Sequence, residues 1–186
     1  MSLRRLYPVV LAVLWAPAFG QVEEYQPLRY PPTLAGINPG NTPAVDAVKM
    51  YGKGYFQPKK WTSGSRYYTD PGKKVTLHTV IGEDAIVEIE VQRGLHLPNT
   101  SAKAVRQAIS RKLKPSVLPA NLTPKAVLDR YGKPFSDKKN GHRRTIVYKA
   151  DYRHTIGVVD YEARFTFEDG KLIGMRLSDG ETGVGA

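Results

Sequence analysis

Cysteine is absent from all 186 residues. Its absence excludes disulfides, thiolate nucleophiles, cysteine zinc sites, iron–sulfur clusters and any lipid anchor attached through cysteine. Acidic residues are few, since 17 Asp and Glu stand against 28 Lys and Arg, which gives a net charge of +11. Apolar runs long enough to span a bilayer are also missing. Hydrophobic residues nevertheless make up 41% of the chain, which is enough to bury a core.

The first twenty residues have the three-part layout of a secretory signal peptide. Two arginines precede an apolar run over 6–16, and small residues follow at Ala18 and Gly20. We therefore predict cleavage near Gly20-Gln21 and a periplasmic or secreted chain with no transmembrane segment and no lipid anchor. In that location the positive charge indicates acidic protein surfaces, anionic lipid or anionic polysaccharide as partners, and not nucleic acid. The alternative, in which the charge only maintains solubility, remains open.

Two short segments carry the same helix signals. Thr42-Pro43 opens the first and Thr123-Pro124 opens the second, and Tyr-Gly-Lys ends both, with the glycines at Gly52 and Gly132. Threonine caps free amides, proline fits the first helical turn, and glycine accepts a positive φ after the last turn. We predict a helix in each segment, capped by its threonine.

Strand-like alternation of apolar and polar residues follows each predicted helix. The first segment predicts strands at 66–69, 75–81 and 87–91, and the second predicts strands at 145–152, 158–167 and 171–177. An amphipathic helix over 101–113 precedes the second segment. The predicted fold class is α+β, a tandem pair of small domains, each with a helix or helix pair packed on a three- to four-stranded antiparallel sheet.

The predicted domain order follows from these elements. Residues 1–20 form the signal peptide, and 21–41, rich in proline and glycine, form an extended leader. Residues 42–98 form the first repeat, which is imperfect because only one helix is visible in it. Residues 99–180 form the second repeat, and 181–186 form a flexible tail.

The second repeat resembles the SmpA/OmlA (BamE-type) domain. The resemblance rests on Asn121-Leu122-Thr123-Pro124, Tyr131-Gly132-Lys133-Pro134, Ile146-Val147-Tyr148 and the run from Phe165 to Leu172. It implies a β-lactamase-inhibitor-protein-like fold and a protein of the cell envelope, or an inhibitor, that works by binding. BamE-type members are outer-membrane lipoproteins of the β-barrel assembly machinery, whereas this chain lacks the cysteine that would carry the lipid.

No pattern of residues predicts catalysis, a cofactor or a metal. None of the four histidines stands at an i, i+4 or His-x-His spacing, and His78 falls on the polar phase of its strand. Ser63 lies in a polar turn without the Gly-x-Ser-x-Gly elbow of hydrolases. Glu88 and Glu90 share one strand face, as the acids of a solvated surface do. We therefore expect a protein that is not an enzyme and that holds no metal.

Binding is predicted from the basic, aromatic loop that follows each helix. Lysine and arginine beside aromatic rings suit an anionic surface, because the rings add apolar contact to the charge match. The alternative, in which the aromatics fill the core and the lysines form a solvated rim, remains open. The predicted binding residues are Lys53, Tyr55, Lys59, Lys60, Trp61, Arg66, Lys138, Lys139, His142, Arg143 and Arg144.

The function expected from these observations is that of an exported binding protein of the bacterial envelope. It would act by protein–protein contact in outer-membrane assembly or maintenance. Two alternatives are a secreted inhibitor of a hydrolase and a module that binds anionic lipid or polysaccharide.

Overall fold

The computed structural model describes residues 33–59, 63–154 and 157–179. The predicted signal peptide, most of the leader and the tail lie outside these residues, as do Lys60 and Trp61. The last part of the leader is not extended, because Leu34 and Ile37 bridge to each other and are buried in the core.

The described residues form three α-helices and eight strands, and a short 3-10 turn spans Pro115–Val117. Every strand predicted from the sequence is present, with bounds that differ by a few residues. The elements are α1 (Ala44–Tyr51), β1 (Tyr55–Pro58), β2 (Gly64–Thr69), β3 (Val75–Ile81), β4 (Ile86–Arg93), α2 (Ala102–Ala108), α3 (Pro124–Tyr131), β5 (Ser136–Asn140), β6 (Arg143–His154), β7 (Gly157–Glu168) and β8 (Lys171–Asp179).

All eight strands belong to one antiparallel sheet, in the order β1-β2-β3-β4-β8-β7-β6-β5. Strands β1–β4 form one meander, β5–β8 form another, and β4 pairs with β8 from Glu88↔Ser178 to Gln92↔Gly174. The predicted tandem pair of small domains is therefore wrong. Separate domains would each leave an unpaired strand edge at β4 and at β8, whereas pairing satisfies the backbone groups of both edges and joins the two meanders.

The segments predicted as basic loops form the two edge strands of the sheet. β1 pairs with β2 and β5 pairs with β6. Lysine and proline are typical of loops, and for that reason the sequence predicted loops here. Both residue types are also compatible with an edge strand, because such a strand needs backbone hydrogen bonds on one side only. Pro58 in β1 and the two lysines of β5 also discourage further strands from pairing there.

The two helix starts differ in a way that the sequence did not show. The Thr123 hydroxyl accepts a hydrogen bond from the Ala126 amide and caps α3 as predicted. The predicted cap by Thr42 is wrong, because its hydroxyl accepts from the Asn38 amide at 2.9 Å and α1 has no side-chain cap. Both helices end at a glycine with positive φ.

The predicted helix over 101–113 is shorter than expected. It ends at Ala108, because the next residues contact the end of β2. Ile109 forms a parallel bridge with Thr69, the last residue of β2, and the Ser110 amide donates to the Thr69 carbonyl at 2.8 Å. The buried residues of α2 are Ala104 and Ala108, whereas Ile109 lies just beyond the helix and is exposed.

The apolar core lies on one face of the sheet, which we call the core face. The aromatic ring of Tyr51 in α1 lies 5.6 Å from that of Tyr68, and Tyr131 in α3 lies 5.7 Å from Phe165. These contacts pack both helices on this face. A row of core residues crosses the sheet through Tyr68, Leu77, Val91, Met175, Phe165 and Ile146. The alternate residues of the same strands form the opposite face, which we call the polar face.

Candidate functional site

The residues predicted to bind lie at opposite edges of the sheet. β1 and β5 are separated by seven strand spacings of about 4.8 Å, or about 34 Å across the sheet. The two basic segments therefore do not form one continuous patch. The β1–β2 edge carries Lys53, Tyr55, Lys59 and Arg66, and the β5–β6 edge carries Lys138, Lys139, His142, Arg143 and Arg144.

Most of the cations in the β5–β6 hairpin already have an acidic partner. The Arg144 guanidinium donates two hydrogen bonds to the Asp137 carboxylate, at 2.8 and 2.6 Å, and these bonds lower the pKa of Asp137. Within the described residues only Lys138 and Lys139 of the five predicted groups form no ion pair. The other two pairs are Arg143 with Glu168 at 3.4 Å and His142 with Asp169 at 2.9 Å.

A cavity of about 290 Å³ lies beside this hairpin. Lys139, His142 and Arg144 line it together with Asp169. The Asp169 carboxylate offsets the positive charge inside the cavity, which weakens it as a site for an anion.

At the other edge, Arg66 has a structural contact. Its guanidinium lies 4.7 Å from the centre of the Phe56 ring and donates to the Lys53 carbonyl. Tyr55 pairs across the strands with Tyr67, which places it on the polar face. Lys59 follows β1, and its charge acts on Glu88 of the same face.

One row of side chains crosses the polar face on all eight strands, and the sequence reasoning missed it. The alternation of polar residues was visible within each strand, but the pairing of β4 with β8 was not, so the two halves of the row could not be joined. We call it the polar row. In sheet order it consists of Tyr55, Tyr67, His78, Glu90, Arg176, Arg164, Val147 and Ser136.

The two arginines of the polar row stand side by side on β8 and β7. Arg176 pairs with Glu88 at 2.6 Å, and Arg164 pairs with Glu162 at 2.8 Å. In both arginines the Nε atom is shielded from water and has no hydrogen-bond partner within the described residues. A shielded donor without a partner costs free energy, so the two arginines are only partly satisfied.

Beside the arginines, His78, Glu88 and Glu90 form a cluster, in which one ligating atom of each residue lies within 4.8 Å of the other two. Burial raises the pKa of Glu88, although the Arg176 charge opposes the rise. Burial lowers the pKa of His78, and Glu90 opposes that change. The cluster therefore combines a neutral imidazole with two carboxylates and could hold a divalent cation.

In the part of the chain that the structure describes, no helix has the length and apolar character needed to cross a membrane. No protein-family model matches the chain, and no curated protein matches it.

Two solved structures are similar to the chain. One is an extracellular protein containing an SCP domain from Bacillus anthracis strain Ames, with a TM-score of 0.45 and 13% identity over 86% of this chain, which spans 50% of that protein. The other, from Streptococcus mutans, is described as a candidate β-lactamase inhibitor protein, with a TM-score of 0.25 and 11% identity, covering 75% of this chain and 83% of that one. The second description names the type of protein that the residue resemblance implied, and neither description names an SmpA/OmlA domain. At these TM-scores neither likeness carries an argument about fold or function.

Proposed function

We propose that this chain is an exported, non-enzymatic binding protein of the cell envelope that holds an acidic face of a partner protein against its polar face. The observation that carries the proposal is the adjacent pair Arg164 and Arg176. Their side chains are 42% and 33% exposed, and each pairs with its own carboxylate through Nη2, so the exposed part of each guanidinium keeps further N–H donors for a partner. A guanidinium binds carboxylates through paired donors, so acidic side chains of a partner would complete both groups.

The composition of the polar row also suits a protein partner. Tyrosine and arginine are enriched among the residues that contribute most to binding between proteins, because they combine apolar area with directed hydrogen bonds. The row places two tyrosines at one end and two arginines near its middle. The rigid sheet fixes these positions before binding, which lowers the entropy that association costs.

The setting in the envelope rests on the predicted signal peptide and on the resemblance of residues 121–177 to SmpA/OmlA domains. Work in outer-membrane assembly or maintenance is the role that we favour. Inhibition of a secreted hydrolase is the alternative, and the identity of a captured partner would distinguish the two.

A second candidate function is binding to anionic lipid or polysaccharide. No Asp or Glu occurs between Glu90 and Asp129. In that stretch Arg106, Arg111 and Lys112 are exposed on and after α2. Cations at an anionic surface contribute about 1 kcal/mol each, which is enough for weak, salt-sensitive binding.

One crosslinking experiment separates these surfaces. A photo-crosslinking residue is placed in cells at one of three positions: Thr166 on the polar face, Gln107 on α2, or Lys139 on the β5–β6 hairpin. We expect a discrete protein adduct from Thr166 and none from the other two. Protein adducts from Gln107 or Lys139 but not from Thr166 would contradict the polar face as the binding surface. Lipid or polysaccharide adducts confined to Gln107 would support the second candidate instead.

The arginines are tested in the Thr166 probe strain. The double variant Arg164→Gln with Arg176→Gln should reduce the adduct at least tenfold, since each lost charged hydrogen bond costs about 1.5–3 kcal/mol. Arg130→Gln is the matched control, because this arginine lies over the Tyr131 ring on α3, away from the polar row. Equal loss in both variants, or no loss in the double variant with an unchanged melting temperature, would contradict the proposal.

A further inference from the structure

The cluster of His78, Glu88 and Glu90 on the polar face has the composition of a metal site. His78 and Glu90 are direct cross-strand partners, and Glu88 lies two residues before Glu90 on the same face. Directly opposite side chains lie about 4.5–5.5 Å apart at Cβ, and diagonal neighbours such as His78 and Glu88 lie about 7–8 Å apart, which is within reach of long side chains. One ligating atom of each of the three residues accordingly lies within 4.8 Å of the other two. The β3–β4 hairpin therefore brings together three possible metal ligands from two adjacent strands. A search of the sequence for metal-ligand spacings within one helix or turn does not detect them.

We propose that His78, Glu88 and Glu90 bind a divalent transition-metal ion of the Zn²⁺ class. One imidazole nitrogen and two carboxylates form a mixed N/O set that suits Zn²⁺, and three protein ligands leave a fourth position open. That position would face a cavity of about 200 Å³, which His78 and Glu90 line with Tyr67 and Thr76. The cavity has room for a water molecule or a small ligand on the metal.

Each of the three ligands is held by a neighbour that leaves a ligating atom available. The Tyr67 ring stacks on the His78 ring, with centroids 4.5 Å apart and planes 11° apart. The Gln92 amide donates to Glu90 Oε1 at 2.6 Å, which leaves Oε2 for a metal. Outer groups that orient the ligands in this way are a general feature of metal sites.

Glu88 is held in the same manner, because Arg176 pairs with Oε2 at 2.6 Å and leaves Oε1. The His78 Nε2 atom is shielded from water and has no partner among the described residues. A shielded, unpartnered ring nitrogen is costly in the absence of a ligand and ready to coordinate in its presence.

The charges around the cluster do not attract a cation by themselves. The negative charges of Glu88 and Glu90 are offset by those of Arg176 and of Lys59 from the β1–β2 hairpin, and Arg164 also acts on Glu88. We therefore expect an affinity weaker than that of a closed structural zinc site and a metal that exchanges with solution.

The test is a titration of the untagged chain with Zn²⁺ alone, followed by calorimetry and by the shift in melting temperature. Wild type should bind one equivalent and melt at a higher temperature with Zn²⁺. Glu90→Gln keeps the shape of the side chain and should weaken binding at least tenfold, as should His78→Gln. The matched control His142→Gln removes an exposed histidine outside the cluster and should leave the affinity unchanged.

Histidine resonances give an independent measurement. On addition of Zn²⁺ the imidazole signals of His78 should shift before those of His96, which lines the same cavity but is hydrogen-bonded to the Arg93 carbonyl. Absence of Zn²⁺ binding by wild type, or binding that Glu90→Gln and His78→Gln leave unchanged, would overturn the proposal. Because no partner protein is present in the titration, its failure would leave the proposed binding function untouched.

Discussion

The two faces of the sheet are made by alternate residues of the same strands, yet one face is buried and apolar and the other carries charged groups. On the core face, Tyr68, Leu77 and Phe165 are buried, with Tyr68 beside Tyr51 of α1 and Phe165 beside Tyr131 of α3. On the polar face, the residues between them carry charges that are paired only in part. Stability therefore comes mainly from the core face, so the fold can tolerate incompletely paired groups on the polar face.

The largest expected effect tests this division with two adjacent residues of β7. Phe165→Ala removes a fully buried ring and should lower the free energy of unfolding by about 3–5 kcal/mol. Thr166→Ala, on the polar face, should change it by less than about 0.5 kcal/mol. Chemical denaturation of both variants measures the difference. Comparable losses at the two positions would show that both faces stabilise the fold equally.

A smaller effect is expected where α3 ends on the core face. Gly132 has φ 77° and ψ −147°, a conformation that essentially only glycine adopts. Gly132→Ala should therefore cost about 1–3 kcal/mol, although an added Cβ would meet no atom within 4 Å.

Gly141→Ala is the control for that substitution. This glycine lies in the β5–β6 turn at φ 57°, also with open space around it, and its replacement should cost about 1 kcal/mol. Thermal melts followed by circular dichroism compare the two variants. A larger loss at Gly141 would mean that the turn, and not the end of α3, is the more demanding site.

The smallest effect concerns the ion pair of Asp137 with Arg144, which lies on β5 and β6 at one edge of the sheet. The hydrogen bond from Arg144 lowers the pKa of Asp137 below its ordinary value of 3.8. A lowered native pKa means that the pair stabilises the fold above the ordinary pKa, and that this contribution disappears as the pH falls through the native pKa.

Asp137→Asn should consequently cost at most about 1 kcal/mol at pH 7, because the pair is partly exposed and screened. The difference from wild type should vanish in acid below the native pKa of Asp137. Urea denaturation at a series of pH values measures it. A difference that persists in strong acid would show that the asparagine disturbs packing and not charge.

The sequence was sufficient for most of the elements, though not for the edge strands β1 and β5, and it was insufficient for their assembly. Alternation predicted β3, β4, β7 and β8, and Thr123 with Gly132 predicted the ends of α3, because these signals are local. The pairing of Glu88 with Ser178 across the sheet has no local signal, so two domains were predicted where one sheet exists.

The same limit applies to the candidate site. Binding was predicted from positive charge and aromatic residues within short segments of the sequence. The polar row, in contrast, depends on the pairing registers of strands that are far apart in the chain. His78 and Glu90 were both noted as polar, yet only the β3–β4 register shows that they face each other. Their separation of twelve positions matches no common metal motif.

The position of β8 has a consequence for how the protein folds. This strand comes last along the described chain, but it lies in the middle of the sheet, where it contacts both β4 and β7. The first meander therefore cannot acquire its inner neighbour until nearly the whole chain is available, and ordering such distant partners is slow. Until then the inner edge of β4 remains open to incorrect pairing, a hazard that a chaperone or rapid delivery of the C-terminal segment would reduce.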